Sequence, residues 1–253
     1  MCTMPSLFPS RLPGFVLRCL IGLWVVAASQ AGAFTLFFDD FATDPDGTLL
    51  NGKASVVGAG WQVSFGQSPV EIQNQSFDTS LGGHSVLGFF SQPSAISGDV
   101  VILTLTTLTP TNPTFHSTGF AGIFLRSVNT DLVFIGDLPG ASTTWGMERV
   151  GGPSLAFDGN NGTETLSGNA TVTLVYQAST GLLVAHLGAD PSGTLLGTLQ
   201  IDPGLSFDRI RLANGNGGNI RLDSVAVITP EPGRAMLLVA AFGAVFLRRR
   251  RVW

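Results

Sequence analysis

Cysteine is almost missing from this sequence, and both copies, Cys2 and Cys19, stand in its first twenty residues. Everything beyond Cys19 has no thiol, which excludes cysteine catalysis, disulfide staples and cysteine–zinc sites there. Stability must come from packing. Lysine occurs once, as Lys53, and glutamate four times, as Glu71, Glu148, Glu164 and Glu231. Between Phe34 and Thr229 only six basic residues (Lys53, Arg126, Arg149, Arg209, Arg211 and Arg221) face sixteen acidic ones. This stretch carries a charge near −10, whereas the whole chain is at −4, because the two ends hold the other arginines. With no basic patch to neutralise phosphates, nucleic acid is excluded as a partner. Histidine is scattered at His84, His116 and His186, none in a nucleophile or metal motif, and each reads as a strand-surface or turn residue. Helical periodicity of useful length is also lacking outside the two ends.

What is present begins with those ends. Arg11 and Arg18 precede the apolar run 19–28, and Ala31-Gly32-Ala33 supplies an A-x-A cleavage site. The pattern predicts a secretory signal peptide over residues 1–33, with the mature chain starting near Phe34; an uncleaved anchor is the alternative. Both cysteines fall in the removed segment. At the other end, Pro230-Glu231-Pro232 is followed by an apolar segment, 235–247, and then by Arg248, Arg249, Arg250 and Arg251. About 13 apolar residues rise about 20 Å as a helix, short of the roughly 30 Å hydrocarbon core. Snorkelling arginines and local thinning cover such a deficit, and an arginine run favours the cytoplasmic side. The two prolines stop a helix from extending backwards and leave Glu231 extended and open to a protease. A buried C-terminal core helix is the competing reading, and the arginine run and missing polar face argue against it.

That order resembles the PEP-CTERM sorting signal of exported bacterial proteins. The resemblance implies an exosortase-type membrane protease as partner, transient anchoring in the inner membrane over 229–253, and final placement at the cell surface or outside the cell. Three departures stand out: Thr229 before the triplet, Arg234 after it, and Val252-Trp253 trailing the basic run.

The body reads as β throughout, with short β-branched and aromatic runs separated by Gly, Asn, Asp and Pro at intervals of about ten residues. Strands are expected at Phe34–Phe41, Gly60–Phe65, Val70–Asn74, Ser85–Phe90, Asp99–Leu108, Gly119–Ser127, Asp131–Ile135, Ala170–Gln177, Leu182–Leu187, Gly193–Ile201, Phe207–Ala213 and Asn219–Ile228. Val101, Leu103 and Leu105 share one face and Thr104 and Thr106 the other, while Arg209 and Arg211 alternate with Ile210 and Leu212 to give a strand with one wet face. Ser179-Thr180-Gly181 reads as a hairpin turn. Twelve strands exceed one open sheet, so one domain of two packed sheets over 34–228 follows.

Phe37-Phe38-Asp39-Asp40-Phe41, Gly47 to Gly52 leading to Gly60-Trp61, and the closing runs 207–212 and 220–227 are similar to concanavalin A-like (laminin-G-like) jelly rolls. The resemblance implies an all-β, two-sheet jelly-roll sandwich whose first and last strands lie side by side. An immunoglobulin-like sandwich is the rival, with fewer strands, about seven to nine. Jelly rolls of this kind often hold a structural Ca²⁺ where the terminal strands meet, which would draw on Asp39, Asp40 and Asp223; solvated strand aspartates are the alternative. Asp44-Pro45-Asp46-Gly47 and 158–162 look like calcium loops, but turn chemistry accounts for their composition equally well.

Family 16 glycanases share the fold and place catalytic carboxylates on alternate residues of one strand, about 5–5.5 Å apart. Here no glutamate has an acid at i+2 or i+4 within a strand, and Pro45 and Gly47 put Asp44 and Asp46 in a turn. A non-enzyme is the expectation. Trp145 lies in the Gly/Ser/Thr-rich stretch 140–146, where a loop aromatic would stack on a sugar; core packing is the alternative and the commoner fate of a lone Trp, above all for Trp61 within a strand. Two function classes remain: an exported carbohydrate-binding or structural protein linked to exopolysaccharide, biofilm or extracellular matrix, and a divergent glycan-active enzyme with carboxylates on separate loops.

Overall fold

The computed structural model describes residues 33–66, 70–78, 84–94, 99–108, 119–138, 144–158, 170–216, 218 and 220–230. Residues 33–232 cluster as one compact unit; the other unit, 1–32 with 233–253, lies outside the described residues. The strands are β1 Ala33–Asp39, β2 Gly60–Gly66, β3 Ile72–Gln73, β4 Ser76–Asp78, β5 His84–Phe89, β6 Val100–Leu108, β7 Phe120–Ser127 and β8 Thr130–Asp137. They continue with β9 Trp145–Arg149, β10 Ser154–Ala156, β11 Thr171–Gln177, β12 Leu182–Leu187, β13 Thr194–Gln200, β14 Arg209–Gly215 and β15 Arg221–Pro230. One sheet runs β13-β12-β11-β6-β15-β4-β3, with β1 also paired to β15; the other runs β10-β9-β8-β7-β14-β5-β2. The all-β, two-sheet expectation holds, and every pairing is antiparallel.

Alternation explains the layering. Val101, Leu103 and Leu105 of β6 are buried between the sheets, while Thr104 and Thr106 face outwards. Their hydroxyls meet Thr173 at 3.1 Å and Thr171 at 3.0 Å on β11, opposite partners in the ladder. Such cross-strand pairs each contribute a few tenths of a kcal/mol to about 1 kcal/mol. The inward side chains give about 1.5–3 kcal/mol for each large apolar group removed from water. Ile210 and Leu212 of β14 are fully buried and Arg209 and Arg211 half-buried on the opposite face, as the alternation predicts. Strand glycines seat large rings. At Gly88 a Cβ would stand 2.6 Å from the Phe37 ring, so only glycine lets Phe37 reach the position where it meets Trp61 edge-on at 5.1 Å.

Two boundaries depart from expectation for local reasons. Val70–Asn74 is not one strand: Asn74 and Gln75 take φ of 51° and 56°, so the chain reverses after β3 into β4. Short β9 and β10 lie where the sequence predicts no strand. Gly146, Glu148 and Arg149 dilute the β-propensity of the first, and three residues carry no readable alternation in the second. The hairpin at Ser179-Thr180-Gly181 is present, with Gly181 at φ 72° and its N–H donating to the Gln177 carbonyl at 2.8 Å.

Candidate functional site

A concavity among the described residues begins with two turns. Arg149 ends β9, and Val150-Gly151-Gly152-Pro153 turns the chain into β10, with Gly151 at φ 74° in the left-handed region that favours glycine. The Gly151 N–H donates to Glu148 Oε1 at 3.3 Å and the Arg149 N–H to the Pro153 carbonyl at 2.9 Å, which fixes the turn. From the other sheet, Gln200 closes β13 and Ile201-Asp202 leads away from it. Between the two lies an open cleft of about 450 Å³, lined by Arg149 to Pro153 and Gln200 to Asp202.

Its polar groups are held in place. Arg149 Nε donates to Asp202 Oδ2 at 3.0 Å, and its Nη1 donates to the carbonyls of Leu132 at 3.1 Å and Val150 at 3.2 Å. The guanidinium is thus fixed by backbone on one side, while the Asp202 side chain is 65 % exposed. Gln200 Nε2 donates to the carbonyls of Thr180 at 2.6 Å and Ile201 at 3.2 Å. Behind the cleft, the Tyr176 hydroxyl donates to the Asp202 carbonyl at 2.8 Å and accepts from the Leu205 N–H at 2.9 Å. Burial raises the Tyr176 pKa, so the hydroxyl keeps its proton and the loop its anchor. An ion pair this exposed adds about 0–1 kcal/mol to stability. Its geometry suits recognition better than folding: a fixed guanidinium, a solvent-facing carboxylate, and the exposed ring of Pro153.

Sequence reasoning missed Arg149, Gln200 and Asp202. The Gly151-Gly152-Pro153 and Asp202-Pro203-Gly204 turns were the available signals, but nothing in their spacing brings residues 53 positions apart together.

The predicted site residues fall elsewhere. β1 and β15 pair from Ala33↔Pro230 to Asp39↔Val225, as expected. Asp39, however, is completely buried, and its Oδ2 accepts from Lys53 Nζ at 2.7 Å and Trp61 Nε1 at 2.5 Å. Its Oδ1 accepts the Phe41 N–H at 3.3 Å, and Lys53 also reaches Asp44 at 3.0 Å. Asp223 stands half-buried at the register shift of β15 between Leu222 and Ser224. Among the described residues, no group of three or more His, Cys, Asp or Glu is arranged to hold a metal ion. Asp46 Oδ1 accepts the Asn74 N–H at 2.6 Å and so anchors the β3–β4 turn; residues 159–162 lie outside the described residues.

Trp145 requires a correction. It opens β9 rather than sitting in a loop and is 1 % exposed, because Trp145 and Met147 take the inward positions of that strand and Gly146 and Glu148 the outward ones. An indole so covered has no face for a sugar. Trp61 is core, as predicted. His186 lies on β12 with Nδ1 3.1 Å from the Gly193 carbonyl oxygen, His84 opens β5, and His116 lies outside the described residues. Of the two processing motifs, Ala33 and Pro230 are a cross-strand pair. Ala31, Glu231, Pro232 and Arg248 to Arg251 lie outside the described residues.

No protein-family model matches the chain, and no curated protein does. Solved structures do share its fold. The binding domain of botulinum neurotoxin serotype D aligns with a TM-score of 0.50 at 10 % identity, covering 81 % of this chain and 51 % of that one. A structure of botulinum neurotoxin type C, whose cell entry depends on interaction with two ganglioside molecules, aligns with a TM-score of 0.50 at 14 % identity, covering 83 % and 51 %. This chain spans about half the length of those toxin chains. At such identities the likeness is one of fold.

Proposed function

We propose that this is an exported, non-enzymatic glycan-binding β-sandwich of the jelly-roll type, sorted by an exosortase-type protease to the cell surface or extracellular matrix and linked there to exopolysaccharide. The observation that carries the binding reading is the cleft: its volume lies in the range of about 300–1,000 Å³ usual for small-ligand sites. In it, sugar hydroxyls accept from the Arg149 guanidinium and donate to the Asp202 carboxylate, while a ring face packs on the exposed Pro153. The ganglioside interaction named for the type C toxin supports glycan as the ligand class by analogy of fold. The sorting reading rests on the triplet, apolar segment and arginine run.

A glycan array probed with the wild-type chain and with Asp202→Ala tests the binding reading, alongside a reducing-end assay on the polymers bound. Binding to neutral glycans that Asp202→Ala weakens at least tenfold is expected. Release of reducing ends, or binding indifferent to Asp202→Ala, overturns it. Intact mass of the protein from its native host tests the sorting reading; retention of Arg248 to Arg251 overturns that part.

A further inference from the structure

Three of the six basic residues of the body meet on the outer face of the seven-stranded sheet. Arg209 and Arg211 project from β14, and Arg126 from β7 stands opposite Arg209 in the ladder. Asp131 of β8 accepts from Arg211 through Nε at 3.0 Å and Nη2 at 2.5 Å, and it also pairs with Arg126 at 2.6 Å. Arg209 grips Asp208 through Nε at 2.9 Å and Nη2 at 2.7 Å. Three guanidinium groups against two carboxylates leave one positive charge over, in a body that is otherwise strongly acidic.

Two of the guanidinium groups also lie over aromatic rings. Arg211 lies 4.2 Å from the centroid of the Phe124 ring, and Arg209 lies 4.8 Å from that of Phe89. Cation–π contact of this kind steadies a guanidinium. The Nε/Nη2 edges of both already show the two-bond carboxylate geometry, Arg211 with Asp131 and Arg209 with Asp208, that an incoming carboxylate would take over. Beside them, Ser64 and Ser85 exchange a hydroxyl contact at 2.9 Å, and Gln62 is exposed on the neighbouring strand. The arrangement has an electrostatic cost. The pKa of Arg126 is lowered, by burial first and then by Arg211 and Arg209, against the pull of Asp131.

We propose that this face around Arg126, Arg209 and Arg211 is a second binding surface, distinct from the cleft, and that it takes the carboxylates of an acidic polysaccharide. Sugar-ring carboxylates displace part of the Arg–Asp pairing and bring the surplus charge to neutrality. The hydroxyls of the same polymer meet Gln62 and Ser64, both exposed, while the buried Ser85 holds Ser64 from behind.

The test uses the full chain in mild detergent with Arg248 to Arg251 all changed to glutamine, so that the tail adds no charge. The probes are polygalacturonate and neutral dextran, with salt varied from 50 to 200 mM. The wild-type face should bind polygalacturonate and lose affinity as salt rises. The double variant Arg209→Gln, Arg211→Gln should lose at least tenfold in affinity and show a shallower salt slope. Arg221→Gln, whose side chain donates to Ser76 and the Asn74 carbonyl away from this face, is the control for net charge and should leave binding unchanged. An equal loss in Arg221→Gln, or no loss in the double variant, overturns the proposal. If the double variant fails to fold, the wild type still decides: no polygalacturonate binding at 50 mM salt, or no preference for it over dextran, overturns it. Asp202→Ala should leave polygalacturonate binding intact, which separates this surface from the cleft.

Discussion

Two ion pairs of like chemistry occupy opposite environments in this molecule. Asp39 and Lys53 meet at 2.7 Å with side chains 1 % and 9 % exposed, whereas Arg149 and Asp202 meet at 3.0 Å with 21 % and 65 %. Around Asp39 every contact points inwards: Trp61 and the Phe41 N–H complete its shell, and Lys53 lies 5.4 Å from the centroid of the Phe41 ring. Around Asp202 the contacts hold the backbone and leave the carboxylate to solvent. Burial turns a charge pair into part of the fold, because removing one partner strands the other without water. Exposure leaves the pair available to a ligand at little cost to stability.

The sharpest way to break that contrast is Lys53→Met. It leaves the Asp39 carboxylate buried with no cation and should destabilise the domain by about 3–5 kcal/mol. Urea denaturation measures it; a loss below about 1 kcal/mol would make the buried pair no different from a surface one. Trp145→Ala belongs in the same range, about 3–5 kcal/mol, because a large buried side chain leaves a cavity. If that variant instead kept its stability and lost glycan binding, the core placement of Trp145 would be wrong. At the exposed pair, Asp202→Ala should cost under about 1 kcal/mol while weakening glycan binding tenfold or more. Equal urea midpoints together with altered glycan-array signals would confirm the division of roles.

A smaller effect comes from acid. Burial raises the Asp208 pKa, but the Arg209 hydrogen bond and charge and the Val128 N–H outweigh it, so the net shift is downwards. A carboxyl whose folded pKa is depressed stabilises the fold above its unfolded pKa, and that contribution is lost as pH falls through the folded value. Arg209→Gln removes the largest of the lowering causes. Its stability deficit relative to wild type should therefore be present at pH 7 and shrink below about pH 4, the ordinary aspartate range. A deficit unchanged down to pH 2 would mean that Arg209 acts by packing on Phe89 alone.

What was legible in the sequence was what alternation and punctuation encode. β6 reads correctly because its buried and exposed residues alternate without interruption, and the Ser179-Thr180-Gly181 turn because glycine marks the left-handed position. The pairing of the terminal strands came from the resemblance of the opening and closing runs, and the ladder from Ala33 to Asp39 follows it. Trp145 was misread because β9 carries Gly146 and two charged residues in five, so its composition looks like a loop while its ladder partners on β8 make it a strand. The cleft and the arginine face were illegible for a different reason. Arg149 with Asp202, and Arg211 with Asp131, are 53 and 80 residues apart, and only sheet order brings them together. The role of Lys53 was illegible for the same reason: nothing beside a single lysine in the sequence shows that the chain folds it onto Asp39.

The smallest expected effect concerns calcium, and it tests the buried pair from another side. A structural ion between the terminal strands would draw on Asp39, yet the oxygen it needs already accepts from both Lys53 and Trp61. Calcium calls for six to eight oxygen ligands, and a lysine ammonium beside the leading carboxylate opposes any second cation. Melting the protein in saturating calcium and in EDTA should therefore give the same midpoint, and Asp223→Asn should not change that equality. An ion that bound the folded state alone would stabilise it by about 2.7 kcal/mol at a hundredfold excess over its dissociation constant, which is easily seen. A rise of that size, abolished by Asp223→Asn, would mean that Asp39 exchanges Lys53 for the ion. The pair would then be a switch rather than a fixed part of the core.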